Sequence, residues 1–296
     1  MSLSGSQLFG KFIKSNSFLL LVISFTVSLV FASLPGNDAF AQGDLLITPR
    51  RLVFEGSKKS MNINLANSGK DSATYAISLV QIRMKEDGGF ETITEPDPDQ
   101  RFADKYLRFF PRSVTLGPGE AQLVKVQLIR TNELVPGEYR SHFYFRSVPK
   151  PKPIGVEEEA ARDTTMMSVK LVPVFGITIA AIIRVGESTA KVNMSDLKLE
   201  NPADSIPKLN VVFNRTGNMS VYGDLTVFHI SPQGKKTNIG VAKGIAVYTP
   251  NLIRTFKLTL NKTKGVDLST GKLQVLFTSN SDINPVTYCE SEIILQ

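Results

Sequence analysis

One cysteine, Cys289, and two histidines, His142 and His229, are all that the 296 residues offer of the side chains that most often build metal centres, redox pairs and general-base sites. A lone cysteine excludes an internal disulfide, so the fold must stand on packing even in an oxidising compartment. The histidines fall in different halves of the chain, and no Cys or His cluster has metal-ligand spacing. Each histidine reads as a strand-surface residue or a satisfied core residue. No glycine-rich loop leads from a strand into a helix, which leaves a phosphate cradle without support. Runs of one charge are also scarce: the net charge of +7 comes from 34 Lys and Arg dispersed among 27 Asp and Glu. Dispersed charge is the pattern of a solvated β surface, not of a nucleic-acid footprint. Arg83, Arg112 and Arg140 lack the interleaved aromatics of a base-stacking motif. The sequence therefore supports no enzyme, cofactor, metal or nucleic-acid partner, and binding through backbone and apolar side chains remains.

What is present is the composition of a globular chain, 42% hydrophobic and 21% charged, long enough for two domains that each bury a core. The first forty residues stand apart. Lys11 and Lys14 precede an apolar run over 18–32, and Ala39 and Ala41 follow in an A-x-A arrangement. That is the order of a secretory signal, with cleavage expected between Ala41 and Gln42. An uncleaved membrane anchor is the competing reading, against which the run is short for a span. No later stretch is long and apolar enough to cross a bilayer, so the mature chain is expected in the periplasm without stable membrane insertion.

From Leu45 onward the chain reads as short strands with period-two alternation, punctuated by Gly, Pro, Asn and Asp. Met61, Ile63 and Leu65 alternate with polar residues up to the Asn67-Ser68-Gly69 turn. A second strand covers 73–82, and Asp87-Gly88-Gly89 returns the chain as a hairpin over 90–93. Residues 139–148 form a strongly β-prone strand. The proline-rich and acidic stretch 149–165 reads as a loop. Residues 166–185 are the longest apolar run of the mature chain, and Pro173 within it predicts a sheet edge or a bulge. Arg184-Val185-Gly186 is a candidate hinge. Beyond it, seven short strands in about a hundred residues match an immunoglobulin-like sandwich. The fold class expected is all-β, two immunoglobulin-like sandwiches after a signal peptide, divided 1–41, 42–184 and 185–296.

Arg51-Leu52-Val53-Phe54-Glu55-Gly56, followed by Lys58-Lys59-Ser60-Met61, resembles the opening strands of the PapD-like periplasmic chaperones. Leu116-Gly117-Pro118-Gly119-Glu120 and the segment from Tyr139 through Arg146-Ser147-Val148-Pro149 add to it, over about residues 45–185. The resemblance implies that Arg51 anchors a subunit's terminal carboxylate and that Met167, Val169 and Leu171 on the following strand are donor residues. Alternation independently puts those three on one face, which equally suits the core of the first domain. The implied mechanism is β-augmentation of an exported, strand-deficient, pilin-like subunit. The family's second cation, a lysine, is missing: Gly176 falls near its place, with Lys170 too early and Arg184 too late. The rival function is a structural or adhesive surface protein built from the same sandwiches, with no transient client.

Overall fold

A computed structural model describes residues 45–149, 174–200, 206–281 and 285–295. The expected signal segment and the expected donor residues Met167, Val169 and Leu171 lie outside them. Every long element described is a strand. In the first sandwich these are β1 Leu45–Thr48, β2 Arg51–Phe54, β3 Ser60–Asn67, β4 Ala73–Val80, β5 Ile82–Met84, β6 Phe90–Thr92, β7 Leu107–Phe110, β8 Ser113–Leu116, β9 Ala121–Leu128, β10 Gly137–Val148 and β11 Gly176–Val185. Sheet order is β1-β3-β9-β7 facing β2-β11-β10-β4-β8, with β5 and β6 paired as a separate hairpin. The alternation of β3 works as expected: Ile63 and Leu65 enter the core while Asn62 and Asn64 face outward. Phe54, Val124, Phe143, Phe145 and Ile183 fill the same core.

The strand expected over 73–82 breaks after Val80. Gln81 turns its carbonyl to the Ile93 amide and its side chain to the Ser141 hydroxyl, releasing β5 into the hairpin. The apolar run at 166–185 is described from residue 174, and Pro173, where an edge or a bulge is expected, lies outside that part. β11 is flanked by β10 on one side and, over residues 180–183, by the parallel β2 on the other, so there it is an interior strand and not an edge. Its odd residues Ile179, Ala181 and Ile183 enter the first core, while Ala180 and Ile182 pack with Met84, Ala246 and Tyr248 on the opposite face. Burial on both faces explains why the sequence shows no alternation.

The second sandwich contains β12 Lys191–Glu200, β13 Lys208–Thr216, β14 Val221–Ile230, β15 Lys236–Val247, β16 Ile253–Thr259, β17 Gly271–Ser279 and β18 Thr287–Leu295. Sheet β12-β13-β16 packs on sheet β15-β14-β17-β18 around Leu209, Phe213, Val227, Val275 and Phe277. All seven strands fall where the alternation places them. Cys289 lies half-buried against this core, and burial pushes its thiol up to about 11.

The two sandwiches meet through β10, whose outward face carries Glu138, Arg140 and His142, all buried. Buried charge requires partners, and Glu138 has them from Ser220 and Thr249 of the second sandwich and from Arg184 on the neighbouring strand. Its Oε2 accepts from the Ser220 amide (3.0 Å), the Ser220 hydroxyl (2.7 Å) and Arg184 Nε (3.2 Å), and its Oε1 accepts from the Thr249 hydroxyl (3.3 Å). Arg184 also donates to the Ser220 carbonyl at 2.7 Å. The candidate hinge at 184–186 is thereby braced on both sides. The β5–β6 hairpin adds a second tie, with Asn251 Nδ2 donating to the Met84 carbonyl and the Thr255 amide to the Glu86 carbonyl, each at 2.7 Å.

Removing the Glu138 carboxylate would take the acceptor from a buried amide and two hydroxyls and the nearest ion-pair partner from the half-buried Arg184. Glu138→Ala is expected to cost about 3–5 kcal/mol and to split denaturant unfolding into two transitions, one for each sandwich. Circular dichroism melts with calorimetry decide this: a single transition within about 1 kcal/mol of the parent would remove Glu138 from its joining role.

Candidate binding cleft

Arg51 opens β2 at the junction with the second sandwich. Its guanidinium carbon lies 4.3 Å from the Tyr222 ring centre and 5.8 Å from that of Tyr248. Nε and Nη1 are buried without a hydrogen-bond partner, and burial pushes the group below the usual arginine range. Arginine remains charged under such a shift, so the cleft holds a cation with open donor positions. A second follows from β10. Arg140 sits 4.1 Å from the Tyr248 ring centre, donates Nη2 to the Thr249 carbonyl at 3.0 Å, and leaves Nε and Nη1 buried and unpartnered. Burial lowers this group too. Neither arginine forms an ion pair among the described residues; Glu138, the carboxylate nearby, is occupied by Arg184, Ser220 and Thr249.

Strand register shows which β11 residue lies beside Arg51. Ala180 pairs with Arg51 on one side and with His142 on the other, so Ala180 is the β11 residue beside the arginine. Gly176 pairs with Arg146 four residues earlier, about 13 Å along the strand. A Cβ there would stand 2.2 Å from the Tyr144 ring, so the glycine makes room for an aromatic. Arg184 pairs with Glu138, as its late register implied. Over Ala180 lies a pocket of about 200 Å³ lined by Arg51, His142, Thr178, Tyr222 and Tyr248.

The edge geometry beside this pocket is asymmetric. β2 occupies the slot along residues 180–183 of β11, whereas Gly176–Ile179 pair with β10 alone among the described residues. Val174, Phe175 and Ile177 are 46%, 52% and 40% exposed there. The length of edge without a second partner among the described residues therefore ends at Arg51. Backbone donors and acceptors along such an edge are a template for a further strand.

The two histidines separate. His229 is a satisfied core residue, with Nε2 2.9 Å from the Thr270 carbonyl. His142 is buried but unsatisfied: its Nδ1 has no partner, and the ring lies edge-on to Phe90 and Tyr248. Arg83 pairs with Asp97 and Arg112 lies over Phe109, so they and Arg140 share no face. Sequence reasoning singled out Arg51 but missed the partners. The polar triplet Glu138, Arg140, His142 on one face of a strand otherwise rich in aromatics reads as a solvated face, so it gave no signal of being covered. Tyr222 and Tyr248 gave none, since a tyrosine in a β-prone segment is ordinary.

Burial, with the Arg140 charge beside it, pushes the His142 imidazole down to about 3. The unfolded chain, titrating near 6.5, then binds a proton that the folded chain does not between those pH values, and stability must fall as pH drops through that window. His142→Phe keeps the ring contacts and deletes the titration. The stability gap between this variant and the parent should widen in the variant's favour by about 2–4 kcal/mol from pH 7 to pH 4 in urea unfolding. Parallel pH profiles would show that His142 is not held neutral.

No protein-family model and no curated protein matches the sequence. Among solved structures the chain is similar to the YadV chaperone at 15% identity and a TM-score of 0.42, covering 85% of this chain and 100% of that one. It is similar to a chain of the CsuC–CsuE chaperone–tip subunit pre-assembly complex from the archaic Csu pili of Acinetobacter baumannii, at 11% identity and 0.42, covering 86% and 99%. The Escherichia coli chaperone DraB follows at 12% identity and 0.40, covering 86% and 97%.

Proposed function

We propose that this protein is a periplasmic chaperone-like binder of exported, strand-deficient β subunits, and that the subunit's C-terminal strand joins the free edge of β11. The observation that carries this reading is the length of β11 edge that has no second partner among the described residues and ends on Arg51, a buried cation with unused donors. A strand added there and running parallel to β11 brings its terminal carboxylate to Arg51, in line with the start of β2. An antiparallel strand would bring an ammonium group to the same cation and be repelled. The charge at the end of the slot thus selects both the direction of the guest and its free C-terminus. Main-chain hydrogen bonds supply affinity, and alternate apolar residues of the host strand fill the guest's open groove. Met167, Val169 and Leu171 are the donor residues in this reading. The adhesive or structural alternative asks for a permanent partner and gives no role to an unpaired cation.

A synthetic peptide of alternating valine and threonine ending in a free carboxylate, with its C-terminal amide as control, tests the proposal. The carboxylate form should bind more tightly, and Arg51→Ala should weaken it about tenfold or more while leaving the amide unaffected. Val169→Glu with Leu171→Glu should abolish binding of both peptides with an unchanged melt. Equal binding of the carboxylate and amide forms, or indifference to Arg51→Ala, would sink the carboxylate-anchored reading. A collapsed melt in the Val169/Leu171 double variant would assign those residues to the core.

A further inference from the structure

We propose that His142 is the second binding group of the Arg51 pocket, donating Nδ1–H to the same guest carboxylate. This rests on the carboxylate-anchored reading and adds a residue that neither the resemblance nor the sequence pattern assigns. Arg51, Ala180 and His142 stand in one row on three adjacent strands, their side chains on the same face. Arg51 and His142 are therefore two strand spacings apart, about 10 Å, with only the Ala180 methyl between them. Both line the pocket of about 200 Å³ above that methyl, and each brings a buried nitrogen without a partner. A carboxylate has two oxygens and can accept from both sides at once. A buried donor left open is costly, and the guest anion relieves two such costs together.

The protonation state suits the role. The ring is neutral at ordinary pH, so one nitrogen carries a hydrogen and can donate without the cost of burying another charge. The titratable groups facing it are Arg140 on its own strand, Arg50 and Arg51 at the start of β2, and Tyr222 and Tyr248 from the second sandwich. Ile82 and Phe90 of the hairpin side are apolar. An arriving carboxylate is the one negative charge in that set and favours the protonated ring. The ring's titration must then move upward on binding.

The chain's two histidines give two sets of imidazole signals in a ¹⁵N-histidine-labelled sample, assigned with His142→Phe. The probe is the valine–threonine peptide with a free carboxylate, beside its amide. Expected are a shift of the His142 ring signals with the carboxylate form only, an upward move in their titration, and unmoved His229 signals. His142→Phe should bind the carboxylate peptide about tenfold more weakly and the amide equally, while His142→Asn, which keeps an N–H donor, should retain most of the affinity. Carboxylate binding that needs Arg51 but leaves the His142 signals unmoved and is unchanged in His142→Phe overturns this inference and spares the anchor. Carboxylate and amide binding alike, or neither binding, overturns both.

Discussion

The structure depends on one constraint: the outward face of β10 is polar and yet covered. Glu138, Arg140 and His142 would be unremarkable on a solvated strand, but the second sandwich closes over them, and each must then find a partner or remain a cost. Glu138 is fully satisfied, and through Ser220, Thr249 and Arg184 it fixes the position of the second sandwich. Arg140 is partly satisfied. Arg51 and His142 keep buried nitrogens with nothing to bond. The degree of satisfaction declines from the joint that must be rigid toward the pocket that faces the free edge.

Aromatic rings make this arrangement tolerable. Tyr248 lies between the two guanidiniums and Tyr222 covers Arg51, so that the negative faces of the rings replace part of the lost hydration. Both rings come from the second sandwich while both cations come from the first. The pocket therefore exists only when the two are joined, which ties its electrostatics to the Glu138 network some residues away on the same strand. A change that loosens the joint removes the rings from the cations before it alters any residue of the edge.

The parts of the fold that were legible share one physical feature: one face buried, one face wet. β13, β14 and β17 of the second sandwich and β3 of the first obey it, and period-two alternation located them. β11 violates it, because both its faces are covered between residues 179 and 183, and an unbroken apolar run carries no register. That is why the residue beside Arg51, Ala180, is read from strand pairing and not from the run itself. A one-dimensional alignment cannot count residues across such a run, whereas pairing with β2 and β10 fixes it directly. Arg51 itself was legible through resemblance alone. His142 was misread because a histidine on a strand is usually solvated or satisfied, and only the arrival of Tyr248 from more than a hundred residues later makes it neither.

A pocket lined by Arg51 and an unsatisfied imidazole, with Arg140 buried behind Tyr248 and no carboxylate in its lining, is a local departure from the consistency that the rest of the chain displays, and such departures concentrate where function requires them. Direction follows from the same charge. Strand addition alone does not distinguish a guest's two ends, because backbone donors and acceptors occur in both parallel and antiparallel ladders. A cation at one end of the β11 edge breaks that symmetry, since a terminal carboxylate is stabilised there and a terminal ammonium is not. Register follows too, because a guest fixed at its last residue has no freedom to slide along the edge by two. An apolar edge that would otherwise pair with any strand, in any phase, thus becomes selective through groups that lie beyond its end.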